Sequence, residues 1–441
     1  MSVLNLEKCR EVLDGVKTLD YRGRVTRIVG LSVEATAPTS QIGDLCKIYP
    51  LRGDAPIRAE IVGFEDGKAQ LMPYSNLEGV GLGSLVSYTD TPLTVPVGTQ
   101  FLGRVLDALC NPIDDLPAPE PDAWYPVDAV PQNPLARDRI SETMPLGIKA
   151  IDGLLTVGRG QRLGIFAGSG VGKSTLLGMI SRYAVADVNV IVLVGERGRE
   201  VRDFVEKDLG EDGLKKSILI VATSDQPALL RLKSAMAGTA MAEYFRDQGY
   251  KVLLLMDSLT RFAMAQREIG MAMGEPPVSR GYPPSVYTIM PRLLERSGMS
   301  DKGSVTGLYT VLVEGDDLNE PISDTVRGIL DGHIVLSRAI ANSNHYPPID
   351  ILGSVSRVMP DIASAEHLAI NGEIRHMMSV YNEAEDLINI GAYKRGANAE
   401  IDRSIELHPL ITGFLKQETA QSFTYEETLR LLSDILGGRR E

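Results

Sequence analysis

Cysteine is scarce in this chain: three in 441 residues (Cys9, Cys46 and Cys110), far apart and odd in number. With no CxxC and no Cys/His cluster, neither a disulfide framework nor a zinc site is indicated, and a reducing compartment fits. Positive charge is also in deficit. Lys plus Arg total 45 against 58 Asp plus Glu, a net charge of −13. That balance argues against a generally basic surface of the kind that coats nucleic acid or an anionic membrane, leaving room only for a local patch. Long apolar runs are missing too. No stretch reaches 18 residues, and the opening MSVLNLEKCR lacks the apolar core of a signal peptide. The expectation is a cytosolic protein, able to dock on a membrane complex. Aromatics are 5%, with one tryptophan (Trp124), and there is no fixed-period repeat or low-complexity tract.

What is present is a globular composition, 44% hydrophobic and 23% charged, on a chain long enough for two or three domains. Residues 1–18 read as an amphipathic helix with Leu6, Cys9, Leu13 and Val16 on one face. From 19 to 93, short β-rich runs (25–33, 45–49, 59–64, 68–72, 85–88) alternate with Gly, Asp and Pro turns, the pattern of a small antiparallel barrel. A proline-rich connection, 111–134, reads as a covered linker.

The middle of the chain changes texture. Continuous apolar runs at 162–167, 189–194, 217–222 and 251–256 are separated by helical patterns, including Val201, Phe204, Val205 and Leu209 and the long run 227–247. Strands apolar on both faces and separated by helices predict a mostly parallel α/β sheet. Beyond about Asp361 the strands stop and helical patterns (363–385, 425–436) predict a helical C-terminal domain, 361–441, after an α/β domain over 94–360.

The chemistry centres on GIFAGSGVGKSTLLGMI, residues 164–180. An apolar strand runs into Gly168, Ser169, Gly170, Val171 and Gly172, then Lys173, Ser174 and Thr175, then an amphipathic helix. Glycines let successive backbone N–H groups approach phosphate oxygens where a Cβ would collide. Lys173 supplies a cation for the β- and γ-phosphates, and the Ser174 hydroxyl a ligand for Mg²⁺. The usual pattern opens with glycine; here that position is Ala167.

Two further apolar runs end in carboxylates: 251–256 at Asp257, and 189–195 at Glu196. In a parallel sheet these ends share the edge that carries the loop. Asp257 suits holding Mg²⁺ through water, although a lone strand-end Asp is ordinarily a turn residue. Glu196 suits orienting a water towards the γ-phosphate, and equally suits the first turn of a helix; its position alone leaves both open.

Together these segments resemble the catalytic subunits of the rotary ATP synthase superfamily. VGERGREV is similar to that family's catalytic-glutamate strand end, LLLMDSLTRFAMAQREI to its second nucleotide-binding strand and the helix after it, and PPIDILGSVSR (347–357) to its short signature. Within the superfamily the chain resembles the ATPases of flagellar type III export, through GERGREVRDFVEKDLG, SDQPAL, GEPP, GYPPSVYTIMPRLLERSG and DLINIGAYKRGANAEIDRSI. The last of these stretches distinguishes it from the virulence-associated secretion ATPases. The resemblance spans essentially the whole chain.

It implies a RecA-like nucleotide-binding domain, with a β-barrel before it and helices after it, that hydrolyses ATP with Mg²⁺. Glu196 becomes the catalytic glutamate and Asp257 the Mg²⁺-side aspartate. Arg197 and Arg261 become arginines of the γ-phosphate pocket. Arg357 becomes an arginine inserted into a neighbour's site, and Tyr346, more loosely with Tyr393, an adenine platform. A trans arginine implies a homohexamer. The implied partners are a regulatory protein on the N-terminal segment, a central stalk protein, the export gate at the inner membrane, and export chaperones and substrates, with no nucleic acid. The stretch 274–286 is a candidate pore-facing loop or simply a long connection. Competing readings are a virulence secretion ATPase, an RNA-dependent ring helicase of the termination-factor type, and a noncatalytic nucleotide-binding subunit. Against the helicase, residues 20–93 hold one Phe and the acidic residues Glu34, Asp44, Glu60, Glu65 and Asp66. Against the third stands Glu196.

Overall fold

The computed structural model describes residues 22–437 except 38–39, 54, 314 and 316; the N-terminal segment 1–18 lies outside them. Chain contacts divide into two compact units, one ending at Leu93 and taking in Ala272–Gly274, the other holding the rest.

The first unit is a closed six-stranded barrel, in the order β1 (Arg22–Val29), β2 (Ser32–Thr36), β5 (Lys68–Pro73), β4 (Ile57–Glu65), β3 (Asp44–Tyr49), β6 (Leu85–Pro92). All its pairings are antiparallel, with β6 closing onto β1. Inward positions alternate along the strands, and Val33, Ala35, Ile48, Ala59, Ile61, Leu71 and Val86 are fully buried. The run at 25–33, expected as one strand, is a hairpin. Val29 pairs with Ser32 across Gly30 and Leu31, and Gly30 takes a φ of +56° that only glycine adopts cheaply.

The second unit is built on a nine-stranded sheet. The proline-rich connection leading into it is not simply a linker: β9 (Ala123–Pro126) pairs antiparallel with β7 (Thr94–Val97), leaving Trp124 on the surface. The main sheet runs β17 (Ile349–Ser356), β16 (Gly332–Leu336), β10 (Arg162–Ala167), β15 (Ser304–Leu312), β13 (Lys251–Asp257), β11 (Val188–Glu196), β12 (Ser217–Thr223), β8 (Val105–Leu106), with β14 (Gly298–Met299) beside β15. Every pairing is parallel except those made by β14 and β17.

Helices cover the sheet as its apolar strands require. The helix Ala228–Asp247 is buried along almost its whole length. A Cβ on its Gly238 would fall 2.2 Å from Val192 Cγ2, so glycine there sets how closely helix and β11 approach. The C-terminal helices are Ala365–Asn389, Ala399–Leu415 and Tyr425–Gly437, the first two capped by Ser364 and Asn398 side chains on their first-turn N–H groups. Ile374, Met377, Ile411, Phe414, Leu432 and Ile435 join them to the same core as Leu163, Leu176 and Leu308. The architecture is therefore the expected one: barrel, parallel α/β nucleotide fold, then helices. The stretch 274–286 is a turn bridged by Ser279 and Tyr282 that enters the helix Pro284–Leu294. Cys46 and Cys110 are buried and unbonded, and no helix among the described residues is long and apolar enough to cross a membrane.

Candidate nucleotide site

Strand β10 is pinned between β15 and β16, so the loop after Ala167 leaves the sheet from a fixed point. Gly170 and Gly172 take φ values of +75° and +100°, which bends the loop back on itself. Val171 between them is buried in the core and anchors that end. The helix Lys173–Tyr183 then starts with no side-chain cap, so its first N–H groups face the loop's mouth with the positive end of the helix dipole behind them. Ser174 and Thr175 are exposed on this turn.

The other members arrive from neighbouring strands at the same edge. Asp257 ends β13, opposite Leu193 of β11, and Glu196 lies three residues further out. The Lys173 ammonium pairs directly with Asp257 and stands 3.8 Å from Glu196 Oε1. The Thr310 hydroxyl, from β15, donates to Asp257 Oδ1 at 2.7 Å. Lys173, Glu196 and Asp257, far apart in sequence, are thus one cluster.

Burial pushes the Glu196 carboxyl up to about 7; the Asp257 charge adds to this and the Lys173 ammonium opposes it. Glu200 is held below the usual range, first by the hydrogen bond it shares with Glu196 and also by Arg197, which donates to Glu200 Oε1 at 2.8 Å. A group that must accept a proton works only when ionised. If Glu196 is the base that the resemblance implies, the kcat/KM for ATP should therefore rise about tenfold per pH unit below 7 and level off above it. A Glu196→Asp enzyme assayed alongside should show the limb moved, and a profile flat from pH 6 to 8 in the wild type would remove this role.

The cluster opens into a cleft of about 650 Å³ lined by the loop, Glu196, Arg197, Glu200, Arg261 and Arg338, among others. Arg261 Nε is buried and finds no hydrogen-bond partner among the described residues. The Tyr346 ring lies beside the loop, 3.6 Å from where a Cβ on Gly172 would sit. Tyr393 is not among the residues lining the cleft: its hydroxyl meets the Asn398 carbonyl and Asp402 in the connection between two C-terminal helices. Thr310, Glu200 and Arg338 are the members that sequence reasoning missed. Only Glu200, one helical turn from Glu196, had a local signal.

Arg357 is elsewhere. Its N–H donates to the Asp331 carbonyl, and Asp331 in turn pairs with Arg162 at the start of β10. Its guanidinium meets the carbonyls of Arg327 and Leu330 and is exposed. It therefore sits at the opposite edge of the sheet from the loop, a strand length of roughly 17 Å away at about 3.3 Å per residue.

No group of three His, Cys, Asp or Glu side chains among the described residues could hold a metal by itself. Ser174 and Asp257 offer hard oxygen donors in too small a number for a protein-only site. That suits Mg²⁺, which takes one or two protein ligands and completes its shell with water and substrate phosphate.

Comparison with known proteins agrees with the fold and with a nucleotide-binding domain. Residues 147–356 match the ATP synthase alpha/beta family nucleotide-binding domain, and residues 363–434 match the T3SS EscN ATPase C-terminal domain. The flagellum-specific ATP synthase of Bacillus subtilis is 53% identical over 99% of both chains. The type 3 secretion system ATPase of Xanthomonas euvesicatoria is 50% identical, covering 94% of this chain and 93% of its own. The assembled ATPase EscN from the enteropathogenic E. coli type III secretion system superposes with a TM-score of 0.89 at 45% identity, over 94% of this chain and all of EscN. EscN in complex with its central stalk EscO superposes at 0.87, with 44% identity over the same shares. On the cleft, the fold and these likenesses together, the chain belongs to the family of flagellum-specific ATP synthases and type III secretion ATPases.

Proposed function

We propose that this ATPase works as a closed homohexameric ring, hydrolysing Mg²⁺-bound ATP to energise flagellar protein export. The observation that carries the ring is the position of Arg357. An arginine at the far edge of its own sheet cannot reach its own loop, but a head-to-tail neighbour can present it. In this reading the loop N–H groups and Lys173 bind the β- and γ-phosphates. Ser174 and Asp257 hold Mg²⁺, which neutralises phosphate charge when bound. Glu196 orients the attacking water and takes its proton. Arg197, Arg261 and the neighbouring copy's Arg357 offset charge on the terminal phosphate as it departs. Tyr346 supplies a face for the adenine ring; Tyr393 does so only if the C-terminal connection closes towards the cleft.

The flagellar assignment rests on the 386–405 stretch and on the full-length likeness to the Bacillus subtilis relative. The working parts are a docking segment (1–18) for a regulatory protein, a barrel (19–93), the nucleotide domain (94–360) and the helical region (361–441), which meets a central stalk, chaperones and substrates. The 274–286 turn faces the pore. The enzyme works in the cytoplasm against the inner face of the membrane, at the export gate, with no nucleic acid.

If each site needs two subunits, specific ATPase activity should rise steeply with protein concentration and track the hexamer fraction measured in parallel by light scattering. A specific activity that stays constant down to nanomolar, monomeric samples would remove the ring from the mechanism.

A further inference from the structure

Strands β10 and β16 are parallel neighbours with Ala167 opposite Leu336. Their chains leave the sheet side by side, so the second residue beyond each, Ser169 and Arg338, come face to face. Arg338 opens the helix Arg338–Asn342, whose N-cap Ser337 accepts from the Ile340 N–H. The Arg338 Nη2 donates to the Ser169 carbonyl at 3.1 Å.

A loop that turns its N–H groups inward to phosphate turns carbonyls outward, where water or a side-chain donor can meet them. Val171 fixes one end of this loop by burial. At Gly170 there is open space: among the described residues, none but its own chain neighbours comes within 4 Å of where a Cβ would be. The tip is thus open on that side, and the Arg338 guanidinium reaches it through the Ser169 carbonyl. We propose that Arg338 is a positioning residue of the phosphate-binding loop, holding the outer face of its tip so that the inner N–H groups stay aimed at the nucleotide phosphates.

This rests on the cleft being the nucleotide site, and the test separates the two claims. Full-length Arg338→Ala and Arg338→Lys proteins are titrated with MgADP and with a non-hydrolysable MgATP analogue, next to wild type, and their steady-state ATPase is measured. Because the loop grips phosphates common to both nucleotides, Arg338→Ala should weaken both by roughly tenfold, the size of one charge-assisted hydrogen bond. KM should rise in step while kcat at saturation changes less than about twofold, the signature of lost uniform binding. Arg338→Lys, which keeps a cationic donor, should recover most of the affinity. Wild-type affinity for both nucleotides in Arg338→Ala overturns the proposal. So does an unchanged MgADP affinity with a fallen kcat, which would put Arg338 on the terminal phosphate instead. Failure of wild type to bind either nucleotide would overturn the cleft assignment itself. Arg338 is an exposed side chain, so thermal melts of the variants should overlay wild type.

Discussion

Glu196→Gln should bind MgATP about as tightly as wild type and hydrolyse it on the order of 10²–10⁴-fold more slowly, the range for losing a positioned general base. Glutamine keeps the size and hydrogen-bonding reach of the side chain but cannot accept a proton from water. Its contrast is Lys173→Ala. That change removes the cation paired with Asp257 and facing Glu196, so two carboxylates confront the incoming phosphates and binding itself falls. A second readout is stability. Glu196 titrates at about 7 in the folded chain, against an ordinary 4.5. The folded state thus favours the protonated form. That contribution is fully present below pH 4.5 and is lost as pH rises through 7. Glutamine never pays this cost, so the variant should melt above wild type at pH 8 and converge with it near pH 4. Normal turnover by Glu196→Gln would show that another group orients the water.

Arg357→Ala should lower kcat by about 10³ or more, the usual scale for an arginine delivered to a transferring phosphoryl group, while each chain still binds nucleotide in its own cleft. The separation of Arg357 from its own loop makes a sharper test. Glu196→Gln and Arg357→Ala proteins, each inactive alone, are mixed as monomers and assembled. A site formed by an Arg357→Ala chain with a Glu196→Gln neighbour is intact in every group. With random equal mixing roughly one quarter of interfaces are of this kind, so activity should return to about that fraction of wild type. Activity that stays at the sum of the two inactive proteins would place both residues in the same subunit's site.

Much of this site could be read from the chain because its parts are contiguous: an apolar strand, then a charged or glycine-rich end. Lys173, Asp257 and Glu196 each announce themselves that way. Thr310 and Arg338 do not, because their relevance depends on which strands are neighbours. Strand β15 sits between β10 and β13 although it follows both in sequence, and Ser304, Thr306, Gly307 and Thr310 break up its apolar texture. Once it is placed there, Thr310 lies against Asp257. The barrel hairpin reads as one strand for a related reason: Gly30 is the only strong punctuation in an otherwise strand-like run. Tyr393 carries no such local signal either: its role rests on motif resemblance alone, and its hydroxyl meets Asp402 of the following helix.

The sheet also has a consequence for inheritance. In the proposed ring, Glu196 at one edge and Arg357 at the other would serve different sites, a strand length apart, so each could vary without disturbing how the other's surroundings fold. Were the gene duplicated, one copy could lose Glu196 and keep Arg357. A ring alternating the two copies would still retain every second site, with the altered chain surviving as a pure donor. One parallel sheet with an antiparallel edge strand therefore leaves the division of labour between subunits open to single substitutions.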